Sequence, residues 1–121
     1  MIWKPHVTVA AVVSKDNKYL MVEENCEGRV VYNQPAGHLE EGENLVDAVI
    51  RETLEETAWH IEPCAITGIY QWKHPDKEKT FLRVCFHAKL LDHDPSITLD
   101  DGIIRALWMS PCHDRWCSLH H

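Results

Sequence analysis

The chain has 121 residues, 45% of them hydrophobic, which is enough for one compact domain with its own core and too few for two. Twelve basic residues against 19 acidic ones leave a net charge of −7, which excludes a nucleic-acid duplex or an anionic membrane as the main partner, since both are met through a basic footprint. The longest apolar run, Val9 to Val13, is far below the ~20 residues that cross a bilayer, and no basic-plus-apolar leader precedes it, so a soluble cytoplasmic protein is expected.

In chain order, Val7 to Val13 is β-branched and apolar, and Tyr19 to Val22 follows after the turn residues Lys15-Asp16-Asn17, a pattern that predicts a β-hairpin. Arg29 to Tyr32 predicts a third strand, ended by the loop Asn33-Gln34-Pro35-Ala36-Gly37 because Pro35 cannot donate to a central ladder. From Asn44 the apolar period changes. Val46, Val49, Ile50, Thr53 and Thr57 fall on one side of a helix, with Asn44 as its N-cap and Asp47 in its first turn. Pro63 marks the far limit of that helix, and Ala65–Trp72, Thr80–Leu91 and Ile103–Met109 predict three further strands. Five cysteines (Cys26, Cys64, Cys85, Cys112 and Cys117) form no Cys-x-x-Cys pair and read as reduced thiols rather than a disulfide framework.

The chemistry concentrates on the helix. At roughly 100° per residue, Glu52, Glu55 and Glu56 share about a 100° arc opposite the apolar stripe, with neighbouring side chains ~5–6 Å apart. Carboxylates that close repel each other unless a cation lies between them, and an oxygen-only ligand set with room for water favours Mg²⁺ or Mn²⁺ over zinc. The plain alternative is a solvated acidic helix face, which is common.

The frame around these acids decides between the two. Gly37, Glu43, Arg51-Glu52 and Glu55-Glu56 stand at the spacings of the Nudix box, matching its six charged or glycine positions. At this chain's composition those positions coincide by chance on the order of once in 10⁷ frames. Together with Lys4-Pro5-His6-Val7-Thr8-Val9-Ala10 and Asn33 to Glu40, the sequence from residue 2 to about 110 resembles the Nudix hydrolases, in particular the Nudix phosphatases acting on thiamine-type pyrophosphates and nucleotides.

The resemblance implies an α/β fold, a three-layer α/β/α sandwich with a mixed β-sheet, over a single domain spanning 1–121. It implies that Glu52, Glu55 and Glu56 hold Mg²⁺ (or Mn²⁺) bridging a small-molecule diphosphate substrate, with Glu52 as the base for an attacking water. Gly37 can bring its carbonyl near the metal with no side chain in the way, and Arg51 can pair with Glu43 to fix the loop to the helix. Tyr32, Trp72, Asn33, Gln34 and Arg83 are the candidates to touch substrate, the aromatics by stacking on a flat ring, the amides by reading its edges or phosphate, and Arg83 by neutralising the terminal phosphate. Trp3 and Tyr70 are weaker stacking candidates, Lys73 a second cation, and Asp100 or Asp101 an extra ligand or base.

Two positions depart from the pattern. Ala58 stands where the box has glycine, at a cost of ~1 kcal/mol if a positive φ is needed there. The sequence after Trp108 is short for the second covering helix, so a homodimer is expected to cover the sheet. Cys112, His113, Cys117, His120 and His121 lack zinc-knuckle spacing. Two activities remain in view: Mg²⁺-dependent hydrolysis of a phosphoanhydride bond, and a non-catalytic Nudix domain that binds a nucleotide as sensor or assembly module.

Overall fold

The structure is a computed structural model that describes residues 2–111. The zinc-type residues from Cys112 onward, and any second covering helix, lie outside the described residues. Strand β1 (His6–Val12) is used as an interior strand, which its unbroken apolar run suits: Val9 and Ala10 are wholly buried. It pairs in parallel with β7 (Thr80–His93) and antiparallel with β5 (Ala36–His38), in a mixed sheet of order β5-β1-β7-β6 that β6 (Trp59–Lys73) completes at one edge.

The expected hairpin is therefore corrected. The short strand β2 (Ser14–Lys15), not β1, turns back on β3 (Lys18–Cys26), through Asp16 and Asn17 at φ of 52° and 62°. Both turn residues are left-handed, the geometry that matches strand twist in a two-residue loop. The chain has already left the first sheet at Val13. In the second sheet β3 is central, flanked by β4 (Arg29–Asn33) and β8 (Ile103–Met109).

Helix α1 (Leu45–Thr57) starts where the sequence predicts, with the Asn44 side-chain oxygen accepting from the Asp47 amide at 2.8 Å. Its buried residues are Ala48, Val49, Thr53 and Thr57, whereas Val46, expected on the apolar side, is 44% exposed. Val49 and Ala48 pack with Val9 and Ala11 of the first sheet's helix-facing side and with Val13, Val84, Phe86 and Leu20. Each such fully buried valine contributes roughly 1.5–3 kcal/mol over an exposed one.

The helix ends at Ala58, whose φ of 64° is the left-handed conformation the family glycine would adopt freely, and whose amide bonds to Leu54 O. Pro63 does not follow as a separate stop. It lies inside β6, which starts at Trp59, and an edge strand tolerates the missing N–H.

Candidate active site

The β5–α1 loop is tied down by one arginine. Arg51 Nε and Nη2 donate to the two carboxylate oxygens of Glu43 at 2.7 and 3.0 Å, a bidentate pair. Nη2 also donates to His38 O at 3.1 Å, and Nη1 reaches Glu52 at 2.6 Å and Glu55 at 2.9 Å. Glu43 accepts in addition from the Glu40 amide at 3.1 Å. Its pKa is lowered, chiefly by the hydrogen bond from Arg51, and the Arg51 pKa is raised by the same bond.

Deeper along the helix the balance reverses. Glu56 accepts from the Ala36 amide at 3.0 Å, but burial pushes its pKa up to about 8, and Glu52, Glu24 and Asp100 add like charge. The Glu52 pKa is raised too, first by burial, although Arg51 opposes the shift. Gly37 matters for a reason the sequence did not show: a Cβ there would collide with the Glu52 side chain, so any other residue would push that carboxylate out of its place.

These features bear on a divalent cation. Among the described residues no three His, Cys, Asp or Glu side chains are gathered as a ready ligand group, because Glu52 and Glu55 each turn an oxygen to Arg51. The donor chemistry nonetheless fits: Glu52 and Glu56 are half-buried carboxylates, and Glu56 faces the like charges of Glu52, Glu24 and Asp100. An oxygen-preferring divalent ion would supply the missing charge, and Glu52, Glu56 and Glu55 are the residues that could hold it.

The carboxylates open onto a cleft of about 660 Å³, within the size range of small-molecule sites. Of the sequence candidates, Asn33, Gln34, Gly37, Glu52, Glu56, Trp72 and Arg83 line it. Tyr32 does not. It points to the opposite face of β4, where its hydroxyl donates to Glu23 at 2.7 Å. Glu55 also stands outside the lining, at the rim beside Arg51. Asp100 donates its amide to Glu55 O at 3.0 Å, which brings its carboxylate near Glu52 and Glu56. Glu24, His38 and Phe81 line the cleft and were not singled out by sequence. Strand parity could have found two of them, since Phe81 is two residues from Arg83 and Glu24 sits one residue from the outward-facing Glu23.

The arrangement defines a class: an α/β domain in which an arginine-anchored loop delivers helix carboxylates to an open cleft. Residues 4–113 match the family described as NUDIX domain, and the chain belongs to the Nudix family, as an enzyme of its pyrophosphohydrolase and phosphatase type. It is 44% identical over 109 residues to Phosphatase NudJ of Escherichia coli (strain K12), covering 90% of this chain and 71% of that protein. A NUDIX hydrolase from Nitrosomonas europaea superposes with a TM-score of 0.85 at 49% identity, covering 88% of this chain and 73% of the other. A MutT NUDIX hydrolase from Burkholderia pseudomallei, at 17% identity, shares the fold with a TM-score of 0.78 over 89% of this chain and 84% of its own. No helix among the described residues is long and apolar enough to cross a membrane.

Proposed function

We propose that this protein is a Mg²⁺-dependent hydrolase that cuts a phosphoanhydride bond in a small diphosphate metabolite, a nucleoside di- or triphosphate or a thiamine-type pyrophosphate. The observation that carries the reading is Glu56, buried among like charges with an amide as its hydrogen-bond partner, next to the Arg51-held Glu52 and beside a cleft of substrate size. A buried carboxylate with its pKa near neutrality is costly to keep unless a ligand repays the strain, and a divalent ion bridging a diphosphate does so. The similarity to a protein named Phosphatase NudJ supports release of phosphate from such a compound.

In this reading Glu52, Glu56 and Glu55 would hold Mg²⁺, with Mn²⁺ as a substitute, which when bound would supply charge neutralisation for the diphosphate and a more acidic water. Glu52 is the base, since burial raises its proton affinity while Arg51 fixes one of its oxygens and leaves the other free. Arg51 acts by holding Glu43, Glu52 and the His38 carbonyl in one geometry. Gln34, Asn33, Trp72 and Arg83 form the substrate wall, and Tyr32 drops out of it. The reading places the enzyme in the cytoplasm, as a homodimer that would cover the exposed Val46, Ile66 and Ile69.

The test is phosphate and pyrophosphate release from a panel of nucleotides and thiamine pyrophosphate, with Mg²⁺, with Mn²⁺ and with a chelator. Hydrolysis of at least one compound that needs the metal is expected. No release from any of them with either metal would defeat the proposal.

A further inference from the structure

The long strand β6 is an edge of the mixed sheet, and among the described residues no strand pairs with its far side. Its two halves are built differently. Between Trp59 and Gly68 the pairing with β7 slips three times, and Pro63 removes an N–H, so this half offers no regular ladder to another strand. From Gly68 to Lys73 the register with β7 runs unbroken. Ile69, Tyr70, Gln71, Trp72 and Lys73 contain no proline and no bulge, their one charge stands at the end, and Ile69 and Tyr70 are 60% and 56% exposed. A regular apolar edge of this kind is a template for a further strand.

The segment is complementary to itself. Laid antiparallel against a second copy with Gln71 on the two-fold axis, it sets Ile69 opposite Lys73, Tyr70 opposite Trp72 and Gln71 opposite Gln71, and no like charges meet. This is the one register that uses all five residues of both copies. Tyr70 and Trp72 share the cleft-facing side, because their partners in β7 are Arg83 and Phe81, which line the cleft together with Trp72. Ile69 and Gln71 share the helix-facing side, opposite Val84 and Leu82. On that side a groove lies between β6 and the start of α1, with Val46, Ile66 and Phe86 in its walls and two carboxylates, Glu43 and Asp47, but no cation among the described residues that line it. The second copy's Lys73, brought alongside Ile69, lies on the same side as that groove. Within one chain Lys73 pairs with the exposed Glu78 at 3.6 Å, an ion pair too weak to resist exchange for Asp47. Five paired residues fall short of the ~800 Å² per partner of a stable interface, and the exposed Ile66 and Val46 supply further apolar area beside the seam.

We infer that a second copy of this chain pairs antiparallel with β6 over Ile69–Lys73, about a two-fold axis at Gln71, so that two mixed sheets join into one and each copy sets its Tyr70 against the other's Trp72 at the edge of the cleft. This rests on the homodimer reading above and adds to it the seam and the residue that each copy contributes to the other. Side chains directly opposite across such a pair stand ~4.5–5.5 Å apart at Cβ, close enough for the two rings to pack. Phe81 stacks on Trp72 at 4.8 Å within the chain, and the second copy's Tyr70 adds a contact from across the seam. The wall of each cleft then depends on the other copy.

The experiment uses the full chain. Sedimentation at micromolar concentration is expected to give a mass twice the 14.0 kDa of one chain, and Gln71→Lys, which sets two like charges face to face on the axis, to weaken the dimer about tenfold or more. Gln71 is exposed, so the melting of that variant should match wild type. A short thiol cross-linker should join Gln71→Cys to itself, with the bridge mapped to residue 71 by mass spectrometry. Ile69→Cys and Lys73→Cys should each form no such bridge alone and form one when mixed. With a hydrolysed substrate, KM should rise about threefold with kcat little changed on dilution below the dimer's Kd, and Tyr70→Ala should show the raised KM at every concentration. A single 14.0 kDa species overturns the seam together with the homodimer. A dimer of wild-type strength in Gln71→Lys, with no bridge at residue 71, overturns the seam and leaves the homodimer to another surface. A KM that stays constant on dilution removes Tyr70 from the neighbouring cleft and overturns that part of the inference. Absence of metal-dependent hydrolysis with the dimer and its bridge intact counts against the hydrolase reading alone.

Discussion

The two ends of helix α1 treat their glutamates in opposite ways. Just ahead of its N-cap the loop residue Glu43 meets a bidentate arginine, its charge is matched, and its pKa falls. Three turns on, Glu56 is buried among other acids with one amide for company, and its pKa rises to about 8. The first arrangement stabilises the protein as it stands, while the second holds stability back until something positive arrives. The difference separates positioning from chemistry within a single helix.

Breaking the second end should give the largest effect. Glu56→Gln is expected to lose ~10²-fold or more in turnover while folding normally, because on the proposed function it removes a carboxylate that would hold the metal and the helix surface keeps its shape. It carries a pH signature as well. With a folded pKa of about 8 against a usual value of 4.5, the native state holds an extra proton between those limits, so this group's contribution to stability is fully present below pH 4.5 and is lost as the pH rises through 8. Metal-free wild type should therefore melt at progressively lower temperature across that window, and Glu56→Gln should show a shallower fall. Near-normal turnover with Mg²⁺, or identical pH profiles of melting, would remove Glu56 from this role.

Breaking the first end tests the matched charge. Arg51→Ala frees Glu43, Glu52, Glu55 and the His38 carbonyl at once, and should cost about 1–3 kcal/mol of stability together with much of the activity. The sign with pH is opposite to that of Glu56. Since the Glu43 pKa is lowered, the contribution of the pair is present above the ordinary carboxylate range and is lost as the pH falls. Unchanged melting and unchanged kinetics would dissolve the clamp. The smallest effect belongs to the helix end, away from both glutamates. Ala58→Gly relieves a left-handed alanine but gives up a buried methyl, so a net gain of about 0.5 kcal/mol with kcat unchanged is expected. A loss of stability would mean that the methyl outweighs the strain.

The same contrast describes what could be read beforehand. The clamp was legible because Glu43, Arg51 and the helix glutamates are fixed by spacing along one element, and the Asn44 cap and the strained Ala58 are equally local. Partners across space were not. Alternation tells which face a strand residue takes and says nothing of which strand lies beside it, so β1 was assigned to β3 when it pairs with β7. Tyr32 was misplaced by one residue of parity, and Phe81 was passed over because a phenylalanine in a strand ordinarily means core. Pro63 was read as a stop because nothing in the sequence says that β6 is an edge.

That long-range pairing has a consequence for how the molecule comes into being. Of the described strands β1 leaves the ribosome first, and its neighbour β7 follows some seventy residues later. Until then Val9 to Val13, the most apolar run in the chain, has only the three-residue β5 to pair with, and the local β2–β3 and β3–β4 hairpins are the contacts that can form early. The loop closed by this parallel contact must be closed before it is rewarded, which slows folding and lengthens the exposure of a sticky strand. The nascent chain is thus most vulnerable to aggregation just before β7 emerges, and release of that strand, rather than formation of the helix that carries the chemistry, sets the pace of assembly.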